Sequence, residues 1–183
     1  MDRHTALLFV DWQRGFIELA RRMERNNPHA EDNAARLLAH WRAQGWPVFH
    51  VRHNSLEADS VLREGLPGFA FRDVAQPAAG EPVFVKRVHA AFIGTDLEGA
   101  LRRAGVIRLV ISGVRTDHCV STTARMAYDL GFQVVVAGDA CHAFACETPD
   151  GRVIDAQTVH DVNLASLHGE FAQVAPTAAL LNG

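Results

Sequence analysis

The sequence LVISGVRTDHCV, residues Leu109–Val120, has the pattern of a buried strand followed by the start of a helix. Its apolar run is rich in β-branched residues, which favour a strand that is covered on both faces. Gly113 is expected to break that run, and apolar residues then recur at the helical spacing of three and four as far as Leu130. Cys119 is therefore predicted to lie where a strand has ended and a helix begins.

This position makes Cys119 a candidate nucleophile. The unpaired N–H groups in the first turn of a helix stabilise negative charge and so favour the thiolate. The alternative is a small apolar side chain packed at the helix start, because free cysteines are among the most buried residues. The local pattern leaves both interpretations open.

Length and composition describe one globular domain over residues 1–183, with 48% hydrophobic and 21% charged residues. The net charge of −3 and the lack of a Lys/Arg cluster argue against nucleic-acid binding. The first apolar run stops at Asp11, which makes it too short for a signal peptide or a membrane span. Three unpatterned cysteines indicate reduced thiols. We therefore expect a cytoplasmic protein with no membrane partner.

Strand and helix patterns alternate along the chain. This alternation predicts an α/β fold, a three-layer α/β/α arrangement around a mostly parallel sheet of five or six strands. Residues 52–80 have no sustained period and are predicted to form a long loop that helps to build the site. The predicted strands are residues 6–10, 46–51, 82–85, 106–111, 132–137 and 171–174, and the predicted helices are residues 28–44, 96–103, 120–130 and 155–167.

Three residues with useful chemistry follow three of the predicted strands: Asp11 after the first, Lys86 after the third and Cys119 after the fourth. Right-handed crossovers place the carboxyl ends of parallel strands at one edge of the sheet, where ligands bind. Taken singly, the aspartate is explained as a turn residue and the lysine as a solvated side chain. Together they supply what a thiol nucleophile needs, a base and a cation that lowers the pKa of the thiol.

Three motifs resemble those of the isochorismatase-like cysteine hydrolases, a family that includes nicotinamidases, ureidoacrylate amidohydrolases and related amidases. The first is LFVDWQRGF at residues 8–16, and the second is FVK at residues 84–86 followed by AFIGTDL at residues 91–97. The third is GVRTDHCVSTTAR at residues 113–125, which resembles the specific signature G-x-x-T-x-x-C-V-x-x-T-A-R. The resemblance covers residues 5–145.

This resemblance implies a Rossmann-like fold of the isochorismatase type and a role for each motif residue. Cys119 would be the nucleophile, Asp11 the general base, and Lys86 the residue that holds the pair and favours the thiolate. The Val114–Arg115 peptide would be cis, and the backbone N–H groups of Arg115 and Cys119 would form an oxyanion hole. The implied activity is cofactor-free hydrolysis of a C–N bond in a small amide, ureide or lactam through a thioester.

The substrate pocket is predicted from the same motifs and from chain position. By resemblance, Trp12, Phe16 and Phe92 would line the pocket. His53 ends the second predicted strand at the expected edge, and His118 is adjacent to the nucleophile, so both are candidates for substrate binding. For His118 the alternative is a solvent-facing residue at the helix start.

A metal site is not expected. Metal-dependent nicotinamidases of the family carry an Asp-x-His and a further His after the second strand, whereas residues 50–55 of this chain read HVRHNS. His50 and His53 are three positions apart on a strand and would point to opposite faces. The family is usually oligomeric, so we expect a homo-oligomer, a dimer or a tetramer, with a small molecule as substrate.

Two other interpretations of the function stay open at the level of sequence. The same fold could hydrolyse a non-amide substrate or act through a reactive thiol. A non-catalytic binding protein is the third possibility, and the intact set of Asp11, Lys86 and Cys119 argues against it. The sequence does not identify the substrate.

Overall fold

The computed structural model describes residues 1–182 and has an α/β architecture, which confirms the predicted fold class. The strands are β1 (Thr5–Val10), β2 (Val48–His53), β3 (Val83–Lys86), β4 (Arg108–Val114), β5 (Gln133–His142), β6 (Cys146–Glu147), β7 (Val153–Ile154) and β8 (Gln173–Ala175). The helices are α1 (Gly15–Ala20), α2 (Ala30–Gln44), α3 (Leu97–Arg103), α4 (Ser121–Asp129), α5 (Ala156–Leu167) and α6 (Thr177–Asn182).

Six strands form one parallel sheet in the order β3-β2-β1-β4-β5-β8, and β6 and β7 form a separate antiparallel pair. All six residues of β1 are buried, because the strand lies inside the sheet with side chains on both faces. Leu7 and Phe9 pack in the apolar cluster with α2, whereas Leu8 and Val10 pack in the cluster on the other face. One continuous apolar strand therefore supplies both layers of the core.

The longest helix, α2, covers one face of the sheet. Its buried residues Ala34, Leu37, Leu38 and Trp41 recur at spacings of one, three and four, and the Trp41 indole N–H donates to the Thr5 carbonyl of β1 at 3.0 Å. None of the helices in residues 1–182 has the length and hydropathy that a bilayer span requires.

Two strands, β4 and β5, extend furthest past their predicted ends. β4 continues through Gly113 to Val114, and β5 continues to His142. The pairing of β4 with β5 shifts register between Ile111 and Gly113 and then resumes, so the glycine marks an irregularity inside the strand. The sequence pattern predicted that the strand ends at residue 111, because Ser112 and Gly113 interrupt the run of apolar side chains. The backbone nevertheless continues as a strand. The helices α1 and α6 and the pair β6–β7 were not predicted.

Gly113 is required where β4 passes β1. A Cβ atom at this position would overlap the Val10 carbonyl oxygen and lie 2.8 Å from the Val10 Cβ. Backbone atoms of a central strand cannot yield as the end of a flexible side chain can. Because Val10 directly precedes Asp11, this close approach also sets where that carboxylate lies.

We expect Gly113→Ala to lower the free energy of unfolding by about 1–3 kcal/mol, the usual cost of overpacking a core. Gly138→Ala is the matched control, because its added methyl would meet only side-chain carbons of Leu164 and Val174 at 3.0 and 3.1 Å. Urea unfolding of both variants measures the difference. Equal losses would contradict a specific clash between β4 and β1.

His142, the last residue of β5, lies in the apolar core. Its ring is fully buried, with centroids 5.9 Å from the Trp12 ring and 5.3 Å from the Phe144 ring. Burial and, to a smaller extent, the Arg25 guanidinium lower the pKa of His142 to about 3. The folded protein therefore holds this imidazole neutral, whereas the unfolded chain protonates it near the ordinary value of 6.5.

This difference predicts an acid sensitivity that His142→Phe reduces. The pKa of His142 is lower in the folded state, so its contribution is fully present above pH 6.5 and is lost as the pH falls from 6.5 toward 3. The slope is at most about 1.4 kcal/mol per pH unit for one proton. The free energy of unfolding of both proteins, measured from pH 7 to 4.5, tests this, and parallel curves would contradict it.

Candidate active site

The carboxyl ends of β1 and β3 and the turn after β4 meet beside a cavity of about 600 Å³. Asp11 follows β1, Lys86 ends β3, and Cys119 lies in the turn between β4 and α4. Asp11 and Cys119 line the cavity, and the Lys86 side chain lies fully buried next to them. The fold thus brings together three residues that are far apart in the chain.

The Lys86 ammonium joins the other two groups. Its Nζ lies 2.7 Å from Asp11 Oδ2 and 3.2 Å from Cys119 Sγ. The side chains of Asp11 and Lys86 are completely buried, and Cys119 is 6% exposed. Electrostatic interactions among these buried groups are strong because little water screens them.

Asp11 leaves the strand in an unusual backbone conformation. Its φ is +57°, in the left-handed region, which aspartate and asparagine tolerate better than most residues. The Asp11 N–H still donates to the Val51 carbonyl of β2 at 2.9 Å, and the Gln13 N–H donates to the Asp11 carbonyl at 2.7 Å. The chain therefore turns sharply at Asp11 while its amide stays tied to the sheet.

Cys119 lies in a π-helical turn, Thr116–Val120, that precedes α4. The N–H groups of His118 and Val120 both donate to the Arg115 carbonyl, at 3.2 and 3.1 Å. The peptide bond between Val114 and Arg115 is cis. The π turn, rather than the first turn of an α-helix, presents the sulfur to the cavity.

The surroundings of Cys119 raise the pKa of its thiol. Burial raises the pKa of Cys119 well above the ordinary value, and the Asp11 carboxylate raises it further, while the Lys86 ammonium opposes both. For Lys86, burial acts to lower the pKa, but Asp11 and Cys119 outweigh it and the pKa is raised. Lys86 thus acts in the predicted direction and favours the thiolate, but desolvation and the carboxylate outweigh it, so the pKa of the thiol is raised in the unliganded protein.

Three of the five predicted substrate-binding residues line the cavity: Phe16, His53 and His118. The structure places the other two in the core. Trp12 is fully buried and its indole N–H donates to Ser112 Oγ at 3.1 Å, while Phe92 stacks on another core ring with centroids 6.1 Å apart. The motif gave their position in the chain but not the direction of their side chains, so this prediction is wrong for Trp12 and Phe92.

Much of the cavity wall comes from residues that the sequence did not single out. Part of the predicted long loop lies there, which agrees with its expected role. The remaining wall residues carried no pattern of their own, because they lie in a short helix or in irregular segments. The additional lining residues are Leu19, Arg22, residues 55–57 and 59–62, and residues 87–89; Arg115, which was predicted for the oxyanion hole, also lines the cavity.

Gln13 is a further buried residue behind the site. Its side-chain oxygen accepts from the His53 N–H at 2.8 Å, and its amide nitrogen donates to the carbonyls of His53 and Phe69 at 3.0 and 3.1 Å. One side chain thus joins the exit of β1, the end of β2 and the long loop. The Gln of the first motif was the signal that could have identified it.

The two strand histidines do not converge. The His50 ring lies 2.7 Å from a Glu81 carboxylate oxygen, whereas the His53 ring faces Lys86 at 3.3 Å. Across residues 1–182, no three His, Cys, Asp or Glu side chains are grouped so that they could hold a metal ion.

The fold is an α/β domain with a cavity at the carboxyl ends of a parallel sheet, the position at which proteins of this architecture bind small molecules. The isochorismatase domain family matches residues 5–179 of this chain. The chain therefore belongs to the isochorismatase family and is an isochorismatase-family hydrolase.

Two relatives match nearly the whole length of the chain, and a third matches part of it. An uncharacterized isochorismatase family protein of Bacillus subtilis, YrdC, is 38% identical over 182 residues, covering 100% of this chain and 97% of its own. An isochorismatase-family crystal structure from Chromobacterium violaceum has 41% identity and a TM-score of 0.93, covering 99% of this chain and 93% of its own. The ureidoacrylate amidohydrolase RutB of Methylobacterium radiotolerans is 29% identical over 70% of this chain and 46% of its own.

The electrostatics of the site predict how alkylation of Cys119 responds to its neighbours. Asp11→Asn removes the carboxylate that raises the pKa of the thiol, so iodoacetamide should modify Cys119 faster at pH 8. Lys86→Gln should slow the same reaction, because the ammonium lowers that pKa. Mass spectrometry of the Cys119 peptide, in a Cys146→Ser background that lacks the exposed thiol, gives the rates. Slower modification in Asp11→Asn than in the parent would contradict this account.

Proposed function

We propose that this hydrolase cleaves the C–N bond of a small amide, ureide or lactam with Cys119 as nucleophile. The observation that carries the proposal is the buried Lys86 ammonium, 2.7 Å from the Asp11 carboxylate and 3.2 Å from the Cys119 sulfur, beside a cavity of about 600 Å³. The amidohydrolase named among the relatives supports the C–N bond as the target.

Acylation begins with the protonated thiol that the resting site holds. As the Cys119 sulfur attacks the substrate carbonyl carbon, Asp11 accepts the thiol proton, so a general base compensates for the raised pKa. Lys86 keeps its proton and stabilises the negative charge that develops on sulfur. The ion pair with Lys86 also holds the Asp11 carboxylate in place.

The tetrahedral intermediate carries its charge on the former carbonyl oxygen. In this proposal the backbone N–H groups of Arg115 and Cys119 bind that oxygen. Two preorganised donors are what such an oxyanion needs, and the loss of one typically costs about 100- to 1000-fold in rate.

The intermediate collapses when Asp11 returns its proton to the leaving nitrogen. The C–N bond breaks, the amine leaves, and the acyl group remains on Cys119 as a thioester. Asp11 then takes a proton from water, whose oxygen attacks the thioester. The C–S bond breaks and the sulfur recovers a proton from Asp11, which returns the site to its resting state.

We expect Cys119→Ala to abolish turnover and Asp11→Asn to lower kcat by about 10²- to 10⁴-fold, the usual contribution of a general base. Ammonia release from small primary amides and ureides, and chromatographic detection of the ring-opened amino acid from lactams, measure both. Asparagine is nearly isosteric with aspartate and tolerates the left-handed backbone at this position, so the variant isolates the carboxylate.

The matched control is Cys146→Ser, which removes an exposed thiol outside the cavity and should keep the parent rate. Turnover retained in Cys119→Ala would refute the proposal. Hydrolysis of matched esters with no amide activity would place the protein among the non-amide hydrolases of the same fold.

A further inference from the structure

The Lys86 ammonium has three N–H donors, no acceptor and no access to solvent. Three acceptors lie within reach of Nζ: Asp11 Oδ2 at 2.7 Å, Cys119 Sγ at 3.2 Å and His53 Nδ1 at 3.3 Å. An unsatisfied buried donor is costly, so three donors facing three acceptors form a complete set. The third acceptor has no part in the proposed chemistry of Asp11 and Cys119.

The contact with Lys86 determines the state of the His53 ring. An ammonium can only donate, so Nδ1 must carry a lone pair and the ring proton must lie on Nε2. Burial lowers the pKa of His53 and the Lys86 ammonium lowers it further, which keeps the imidazole neutral.

Two elements fix His53 opposite Lys86. The residues are register partners on the neighbouring parallel strands β2 and β3, so their side chains start from the same level of the sheet. The backbone N–H and carbonyl of His53 are both hydrogen-bonded by the Gln13 side chain, at 2.8 and 3.0 Å. The imidazole is thus placed by the sheet and by a buried amide, before any substrate is bound.

We propose that His53 is a positioning residue for Lys86, whose neutral imidazole accepts the third N–H of the ammonium and holds it between Asp11 and Cys119. This inference rests on the proposed function and changes the part of His53 within it. The sequence suggested a substrate contact, whereas the ring nitrogen nearest the triad is committed to Lys86. Without that acceptor, the ammonium is drawn toward the Asp11 carboxylate and away from the sulfur.

The contact also makes the site sensitive to acid. A protonated His53 would place a second cation beside Lys86 and lose the lone pair that accepts its N–H. Three titratable groups act on the pKa of His53: Lys86 and His89 lower it, and Asp11 raises it. Because Lys86 and Asp11 form an ion pair, their opposite effects on this pKa partly cancel. As the pH falls through the lowered pKa of His53, kcat should therefore fall.

Two variants separate positioning from substrate binding. His53→Asn keeps a neutral acceptor that does not titrate, and His53→Leu has no acceptor at similar size. We expect His53→Leu to lower kcat about 10- to 100-fold with a smaller change in KM, because a hydrogen bond to a charged group is lost. His53→Asn should stay within about tenfold of the parent and lose the His53 component of its acid limb. A change confined to KM, or a parent acid limb in His53→Asn, would overturn the proposal.

A second readout does not need a substrate. Iodoacetamide should modify Cys119 more slowly in His53→Leu than in the parent at pH 8, and His53→Asn should restore the rate. If no amide is hydrolysed while this order holds, the proposed function fails and the positioning role stands; equal rates in all three proteins overturn the positioning role. In the parent protein, ¹⁵N NMR should show neutral His53 protonated on Nε2, and a proton on Nδ1 would overturn the proposal without any variant.

Discussion

The ion pair between Asp11 and Lys86 is the interaction on which the site depends. Both side chains are fully buried, so each charge has lost its hydration and is compensated only by neighbouring groups. Removing one partner of such a pair typically costs about 3–5 kcal/mol, because the other charge is left alone in a medium of low polarity. The same pair also acts on Cys119: burial raises the pKa of the thiol, the carboxylate raises it further, and the ammonium lowers it. The same two charges therefore affect both the stability of the folded protein and the pKa of the Cys119 thiol.

The order of the strands explains why this pair can meet a thiol. From the centre of the sheet, the chain proceeds outward through β2 and β3 on one side of β1 and through β4 and β5 on the other. The crevice between β1 and β4 is thus a switch point, the place where open parallel sheets bind ligands. Asp11 leaves on one side of this crevice and the π turn with Cys119 leaves on the other. The close passage of Gly113 beside Val10 keeps the two sides together.

The sequence predicted what strand patterns and edge positions determine. Continuous apolar runs identified the parallel strands of the large sheet, and the common carboxyl edge of those strands brought Asp11, Lys86 and Cys119 together. It could not give side-chain direction in irregular segments, so Trp12 and Phe92 were assigned to a pocket when they lie in the core. The sequence also could not predict the shift in the pKa of the Cys119 thiol, because desolvation depends on neighbouring groups that only the folded chain brings together.

Gln13 anchors the segment that forms a wall of the cavity, and that segment is separate in the chain from the elements that carry Asp11, Lys86 and Cys119. Its amide nitrogen donates to the His53 and Phe69 carbonyls, and residues 55–57 and 59–62, which lie between these two anchors, form a wall of the cavity. The acid, the ammonium and the sulfur come from the sheet and the π turn, outside this loop. A substitution in this wall therefore changes the shape of the cavity without changing the elements that place Asp11, Lys86 and Cys119.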